Sequence, residues 1–439
     1  MTPTLPEPQG SGTVPARSLL RILGVLFGWA VTVGSMIGAG ILRAPGDVAQ
    51  ATTSVAVFLG LWLAGALYAL LGALSLAELG AMIPESGGQT VFVRRAFGDY
   101  PGFVVGWSDW ISTCAAVAAI AIVLAESLGA VVPGLLDAKA MVASLTVLLL
   151  MAAHWRGVRT SGRVQTVTSA LKALAFAALI VACFSAGGAS AAAPRVAPTI
   201  GLIVALQAVI YTYDGWAAAL YFSGEVRNPG REIPRSMLLG LLSVMLIYLL
   251  VNVAFLAVLG LDGMAGSVLV ADDVARIVFG AGGTSIIRTL IAVSLLSAVS
   301  ANLLLGTRVI YSLGRMQRFG VMHFVNAGGT PTAALALSTG IAVAFALTGA
   351  FERVIAVAAF FFVANYTASF LAVFWLRRKE PDTPRPYRAF GHPFSTGTAL
   401  LISLAFLAGA ALTDPRHSAV AVVLLLLSYP VYRWLRRTA

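Results

Sequence analysis

The chain has 439 residues, of which 59% are hydrophobic and only 11% are charged. A soluble globular domain carries roughly 25% charged residues, so this composition cannot cover a water-exposed surface. The apolar residues also form long runs, such as 54–77 and 240–260, which reach the ~20 residues that a helix needs to cross a bilayer. The sequence therefore predicts a polytopic membrane protein. It excludes soluble enzymes, secreted disulfide scaffolds and nucleic-acid-binding proteins, in spite of a net charge of +11.

Residues 1–19 precede the first apolar run and are predicted to form a disordered cytoplasmic tail. The first 16 residues contain four prolines and no basic residue, so they lack the charged start and apolar middle of a secretory signal. Twelve apolar segments follow, and an even number of spans places both termini on one side of the membrane. The predicted spans are 20–49, 54–77, 102–131, 138–153, 166–187, 199–224, 235–259, 285–314, 333–350, 353–376, 394–412 and 418–435.

The distribution of basic residues predicts the orientation of these spans. With the N-terminus in the cytoplasm, we assign 21 of the 29 lysines and arginines, Arg308 among them, to the inner side, 7, Arg43 among them, to the outer side, and Lys172 to the interior of a span. An excess of basic residues on short cytoplasmic loops is the positive-inside pattern. The excess of basic over acidic residues is thus explained by topology. We expect membrane lipid as a partner and no nucleic acid.

Neither a disulfide nor a metal site is expected. Cys114 and Cys183 both lie inside apolar runs, where a thiol behaves as a small buried hydrophobe. The four histidines are scattered among connecting segments without the spacing of metal ligands. We therefore expect no metal and no cofactor.

Two of the predicted spans contain residues that interrupt a helix. In the first span, residues 34–40 contain three glycines, each of which weakens a helix by about 1 kcal/mol relative to alanine. In the sixth span, Asp214 and Gly215 lie near the middle. The pair Gly34 and Gly38 could instead serve close helix packing, and Asp214 could be a structural acid. The presence of two breaks at corresponding positions favours a transporter's substrate site over both of these interpretations.

The spacing of the two breaks predicts an internal repeat. Gly34 and Asp214 are 180 residues apart, with four spans between the broken ones. This fits two five-helix units of inverted topology, residues 20–187 and 199–376, with helices 11 and 12 in residues 394–435. Helix N-termini at the first break would hold a carboxylate, and carbonyl ends at the second would accept an ammonium group. A zwitterionic amino acid supplies both groups.

Several motifs occur in the order typical of one family. The chain resembles the amino acid–polyamine–organocation (APC) superfamily, and within it the L-type amino acid transporter-like exchangers and related bacterial permeases. The motifs are GSMIGAGILRAP at 34–45, AELGAMIPESGG at 77–88, GVRTSGRVQ at 157–165, YDGW at 213–216 followed by GEVRNPGREIPRS at 224–236, and RRKEPDTPRPYRAFGHP at 377–393.

The resemblance implies an all-α membrane protein with twelve helices and a LeuT-like 5+5 inverted repeat, in which helices 1 and 6 are unwound at mid-membrane. Ala39 stands where many relatives have serine, and Asp214 replaces a glycine of the large-neutral-amino-acid carriers, which leaves open whether the substrate is neutral or basic. By similarity, the carboxylate side of the site would be lined by Ser35, Met36, Ile37, Ala39 and Gly40, the amine side by Tyr211, Thr212 and Asp214, and the gate would be Tyr211 with Trp216.

Lys172 lies where several relatives carry a lysine that faces the first break. Its ammonium group would replace the sodium ion of sodium-coupled relatives, near Ser297 and Ser300 of span 8, and could also exchange a proton. The alternative is that this side chain reaches cytoplasmic water. A separate hypothesis places an inner gate among Glu225, Arg227, Arg231 and either Glu78 or Arg163.

The sequence thus predicts a secondary transporter that moves amino acids by alternating access, as an exchanger. The alternatives are a proton-coupled symporter and a membrane sensor that binds amino acids without moving them. An intramembrane enzyme is not favoured, because Asp214 and Lys172 would be its only candidate groups within the spans.

The resemblance also bears on partners and location. Eukaryotic L-type carriers bind a glycoprotein heavy chain through a cysteine between spans 3 and 4, and the loop at 132–138 has none. We therefore expect no heavy-chain glycoprotein partner, a multi-pass protein of the bacterial inner membrane, and cytoplasmic termini.

Overall fold

The computed structural model describes residues 19–38, 40–129, 132–186, 199–265, 267, 269–316, 321–413 and 415–438. The predicted tail, apart from Leu19, lies outside the described residues. So does Ala39, which the sequence analysis assigned to the carboxylate side of the site.

The described residues form fifteen α-helices. Short 3₁₀ helices cover Pro133–Leu135, Ala218–Phe222 and Gly280–Gly282. In chain order, the helices are α1 (Val25–Met36), α2 (Gly40–Gln50), α3 (Val55–Met82), α4 (Gln89–Phe97), α5 (Asp99–Gly129), α6 (Lys139–Trp155), α7 (Val158–Ala186), α8 (Thr199–Thr212), α9 (Pro229–Met264), α10 (Val270–Phe279), α11 (Gly283–Met316), α12 (Thr332–Thr348), α13 (Phe351–Lys379), α14 (Phe394–Thr413) and α15 (Pro415–Thr438).

Most of these helices are apolar enough to cross a membrane. Eight of those in the described part of the chain reach the length and hydropathy of a span: α3, α5, α7, α9, α11, α13, α14 and α15. The bent pair of α1 and α2 raises this number to nine, and α6, α8 and α12 contain shorter apolar helices. The chain is therefore an all-α multi-pass membrane protein, although length and composition alone identify eight or nine spans instead of twelve.

Two helices occur where the sequence analysis placed only connecting segments. The helix α4 is short and has Arg94 and Arg95 in its last turn, and α10 has Asp272 and Asp273 in its first turn. Each charge pair complements the partial charge of the nearby helix end. Neither helix is apolar enough to be recognised as a span, so a search for long apolar runs misses both.

The core is built around α5 and α11, which share the most extensive contact between any two helices described, while α9 packs against α1 and α3. Small residues allow the closest approaches. At Gly72 of α3, an added Cβ would lie 2.8 Å from the ring of Trp216. Next to this contact, the buried rings of Trp62, Tyr213 and Tyr248 form an aromatic cluster, with centroid distances of 5.0 Å between the two tyrosines and 6.1 Å from each to the tryptophan.

Candidate functional site

The first candidate feature is the break between α1 and α2. The helix α1 ends at Met36, and Ile37 is extended, with φ −78° and ψ 96°. The helix α2 begins at Gly40, and the axes of the two helices differ by 47°. Carbonyl groups at the end of α1 lack helical partners, so they need donors from elsewhere.

Lys172 of α7 supplies two of these hydrogen bonds. Its side chain is 1% exposed, and Nζ donates to the carbonyl oxygens of Ile37 at 2.5 Å and Gly34 at 3.0 Å. Ser294 of α11 also donates to the Ile37 carbonyl, at 3.3 Å. Within the described residues no carboxylate pairs with the lysine, so the carbonyl end of α1, which carries partial negative charge, solvates the ammonium group.

The second break follows α8, which ends at Thr212. Residues 213–217 form turns before the 3₁₀ helix Ala218–Phe222. Gly215 has φ +103°, a conformation that side chains disfavour. An added Cβ there would lie 2.7 Å from the Ser35 hydroxyl oxygen and 3.0 Å from the Met36 nitrogen. The two breaks are therefore in direct contact, and glycine is what permits it.

Asp214 is held in place by two aromatic residues. The Tyr366 hydroxyl of α13 donates to Oδ1 of Asp214 at 2.7 Å, and the Tyr366 ring stacks on Trp216 with centroids 4.5 Å apart. Trp216 is 1% exposed and is not among the residues that line the cavity described below. It therefore forms part of the wall behind Asp214.

A cavity of about 330 Å³ lies where the two breaks meet. Small-molecule pockets span roughly 300–1,000 Å³, so this cavity suits a small ligand. Tyr211 borders it and is 42% exposed. The lining residues are Ser35, Met36, Gly38, Gly40, Arg43, Ala116, Ala119, Ile120, Val123, Tyr211, Thr212, Asp214, Asn302 and Phe362.

Most of the residues predicted for the substrate site line this cavity. Ser35, Met36, Gly40, Tyr211, Thr212 and Asp214 all do. Ile37 is fully buried and turns its carbonyl group to Lys172 instead.

Of the two serines predicted to accompany Lys172, Ser297 lies beside the first break, with its hydroxyl oxygen 3.1 Å from a Cβ built on Gly34, and Ser300 lies one turn further along α11. Ser297 joins a buried polar cluster, with its hydroxyl 3.1 Å from that of Ser169 and 3.3 Å from Nε2 of Gln165. The Ser300 hydroxyl lies 3.2 Å from Nε2 of His154. Ser294, one turn before Ser297, donates to the Ile37 carbonyl oxygen of the first break.

The predicted inner gate is wrong in its pairing. Glu225 makes two hydrogen bonds with Arg308 of α11, at 3.0 and 2.9 Å, and both side chains are at most 1% exposed. Arg227 donates to the Ile22 carbonyl instead. Arg308 was predicted to lie on the inner side of the membrane, and an arginine near the end of an apolar run gives no sign of a partner 83 positions away.

Further polar contacts lie near the same end of the helices. Glu78 of α3 pairs with Arg377 at 2.5 Å and with Arg385 at 3.2 Å. The Tyr221 hydroxyl donates to Asp109 at 2.8 Å. Near the surface, hydrogen bonding and charge from Arg95 hold the pKa of Glu380 below its ordinary value. The contacts of Glu78 and Glu380 join α3 and α4 to α13 and the segment beyond it, and the contact of Asp109 joins α5 to the chain after α8.

Several residues of this site were not predicted from the sequence, among them four that carry a hydroxyl group or a charge. Tyr248, Ser294 and Tyr366 are polar residues of ordinary type within apolar runs, so no local signal sets them apart. Arg43 carried a signal, because a charged residue three positions after Gly40 is unusual within a predicted span. It was instead assigned to the outer loops, whereas the structure places it at the cavity.

The chain is similar in sequence to proteins described as amino acid permeases and transporters. A family model described as amino acid permease matches residues 23–429. The serine/threonine exchanger SteT of Bacillus subtilis is 26% identical over 432 residues, which cover 96% of this chain and 98% of the relative. The b(0,+)-type amino acid transporter 1 of Mus musculus is 27% identical over 443 residues, covering 97% and 90%. An uncharacterized transporter of Mycobacterium tuberculosis is 33% identical over 262 residues, covering 59% and 58%.

Proposed function

The chain belongs to the amino acid permease family, and on that premise we propose that it exchanges amino acids across a membrane by alternating access. Its resemblance to the APC superfamily is thereby confirmed, and so is amino acid transport. The matching relatives are transporters, so the chain is a transporter and not an enzyme. The observation that carries the proposal is a ligand-sized cavity between two helix breaks that touch at Gly215.

The proposed fold has twelve spans arranged as two inverted five-helix repeats. The pair α1–α2 is span 1, and α8 with the 3₁₀ helix Ala218–Phe222 is span 6. In support, both breaks occur at the equivalent position of their repeat, residues 20–187 and 199–376, with α14 and α15 outside both. Helices α4 and α10 lie between spans.

The proposed substrate is bound through its α-carboxylate and α-ammonium groups. The start of α2 at Gly40 offers unpaired N–H groups to a carboxylate, and Ser35 adds a hydroxyl group at the same cavity. The end of α8 at Thr212 presents carbonyl groups, and Asp214 a carboxylate, to an ammonium group. Tyr211 borders the cavity as the proposed lid, and Trp216 supports the wall behind it.

Lys172 is proposed to couple substrate binding to the shape of the first break. Its ammonium group occupies the carbonyl end of α1 in the way a bound cation would, with Ser294 as its neighbour. A charge that travels with the protein needs no co-transported metal ion, which favours exchange. If this lysine gains and loses a proton during the cycle, the protein is a proton-coupled symporter instead.

The inner side of the site is proposed to be closed in this structure. The cavity is lined by Val123, toward the outer end of α5 in the predicted orientation, and by Arg43, which follows the first break on its outer side. Toward the inner ends, the buried pair of Glu225 and Arg308 fills the space below the second break. Opening toward the cytoplasm would require that pair to separate.

The environment proposed is a bacterial inner membrane with both termini in the cytoplasm. The partners are the amino acid and membrane lipid, without a heavy-chain glycoprotein, since no cysteine occurs at 132–138.

Uptake of radiolabelled amino acids into proteoliposomes tests this function. Vesicles preloaded with unlabelled amino acid should accumulate label, whereas empty vesicles should not. Uptake into empty vesicles that follows a proton gradient would establish symport. Binding of the label without uptake in any condition would establish a sensor, and neither binding nor uptake would contradict the proposal.

A further inference from the structure

The cavity contains two oppositely charged side chains, although the resemblance assigns only one of them, Asp214, to the substrate site. Asp214 lies at the second break and Arg43 on the first turn of α2, and they are the two charged residues among those that line the cavity. The remaining lining residues are small, apolar or uncharged polar. The electrostatic character of the cavity is therefore set by this pair.

Arg43 is free to act on a ligand. It is exposed and lines the cavity, and it forms no ion pair or hydrogen bond within the described part of the chain. Asp47 lies one turn further along α2, at a spacing where ion pairs form on helices, and yet it does not pair with Arg43. The guanidinium group is thus not neutralised by its own helix.

The position of Arg43 is unfavourable for the isolated helix. The N-terminal turn of a helix carries partial positive charge, so a basic residue there is repelled. A charge within a span is also costly and is usually retained for function. These two penalties indicate that Arg43 is compensated by something in the cavity, and Asp214 is the residue of opposite charge that lines it.

We propose that Arg43 makes the site select zwitterionic amino acids over cationic ones, by balancing the charge of Asp214. This inference rests on the proposed function. The start of α2 and Arg43 form a positive wall, and Asp214 with the end of α8 forms a negative wall. A zwitterion matches both walls. A cationic amino acid brings an extra positive charge that Asp214 would accept if it were alone, but that Arg43 repels.

The expected effect follows from the size of the cavity. At an effective dielectric constant near 20, two unit charges about 10 Å apart alter a binding constant by roughly tenfold. Removing the charge of Arg43 should therefore raise the preference for a cation by about that factor. Replacing Arg43 with another positively charged residue should leave the preference between cationic and zwitterionic amino acids unchanged.

The test compares uptake of lysine and serine into proteoliposomes preloaded with serine. In Arg43→Gln, the ratio of kcat/KM for lysine to that for serine should rise about tenfold relative to the unaltered protein. In Arg43→Lys the ratio should stay within about twofold, as in Arg416→Gln, a matched control at an exposed arginine of α15. The double variant Arg43→Gln with Asp214→Asn should lose the gain.

Three outcomes would overturn the inference or its premise. An unchanged ratio in an active Arg43→Gln variant contradicts charge balancing, including the case in which transport of both amino acids falls equally. If Arg43→Gln is inactive, Asp214→Asn takes its place: it should raise uptake of aspartate relative to serine about tenfold, and no rise contradicts the inference. Failure of the unaltered protein to transport either amino acid contradicts the proposed function instead.

Discussion

The Tyr248 hydroxyl group of α9 lies 2.7 Å from the carbonyl oxygen of Met36 and 3.2 Å from that of Thr212. One side chain thus reaches the last residue of the helix before each break. The tyrosine is fully buried, so water does not replace it. It ties the ends of two half-helices whose relative position defines the cavity.

We expect Tyr248→Phe to impair transport more than stability. Loss of a buried hydrogen bond lowers the free energy of unfolding by about 1 kcal/mol, while both break carbonyls lose their shared donor. Exchange should fall at least tenfold, measured in proteoliposomes, with a small drop in melting temperature. The control is Tyr432→Phe. The hydroxyl group of Tyr432 accepts a hydrogen bond from Arg436 within α15, a helix that does not line the cavity. Equal exchange in the two variants would contradict the role of Tyr248.

Lys172→Ala should abolish uptake and leave the protein folded. The carbonyl groups of Gly34 and Ile37 lose the ammonium group that donates to them, so the first break loses its fixed geometry. Size-exclusion chromatography reports folding and proteoliposome exchange reports function. Lys139→Ala is the matched control, because that lysine forms an exposed ion pair with Glu126. Normal exchange by Lys172→Ala would refute the coupling role.

Gly215→Ala should disrupt the site through contact as well as backbone strain. A residue with a side chain at positive φ costs about 1 kcal/mol, and here the new Cβ would also press on Ser35 and Met36. Gly349 separates the two effects, since it has φ +67° but open space around an added Cβ. Substrate binding should be lost in Gly215→Ala and retained in Gly349→Ala. Similar binding in both would mean that the contact between the breaks does not matter.

Glu225→Gln should destabilise the protein strongly. Removing one partner of a buried ion pair leaves an uncompensated charge, with an effect of about 3–5 kcal/mol. Adding Arg308→Met should restore part of the loss, and thermal unfolding of the single and double variants measures the coupling. The exposed pair provides the comparison, because Glu126→Gln should change stability by less than about 1 kcal/mol. Strict additivity of the two buried substitutions would contradict the pairing.

The ion pair between Glu380 and Arg95 should add a small acid-side pH dependence to stability. In the folded protein the pKa of Glu380 lies below the ordinary glutamate value because Arg95 donates hydrogen bonds to the carboxylate. The stabilisation is therefore present above the unfolded pKa and is lost as the pH falls through the folded pKa. Since the pair is partly exposed, the effect should be below about 1 kcal/mol. Melting curves between neutral and acidic pH should show less acid-side loss in Glu380→Gln.

The sequence predicted features that depend on local composition. Long apolar runs identify helices in a membrane, and glycines at 34–40 and at 215 mark helix breaks because they lack the side chain that favours helix. Most of the residues near these breaks line the cavity. The short helices α4 and α10 escaped because neither is apolar enough to resemble a span.

Which side chains meet across the bundle was decided by the tertiary structure alone. Glu225 pairs with Arg308 instead of the nearby Arg227, and Ser294 instead of Ser300 reaches Ile37. Such contacts depend on how each helix is rotated and shifted along its axis relative to its neighbours. A shift of one residue along a helix changes the direction of a side chain by about 100°. The sequence by itself therefore determined the class of protein and the location of its breaks. Packing determined the partners of its charges.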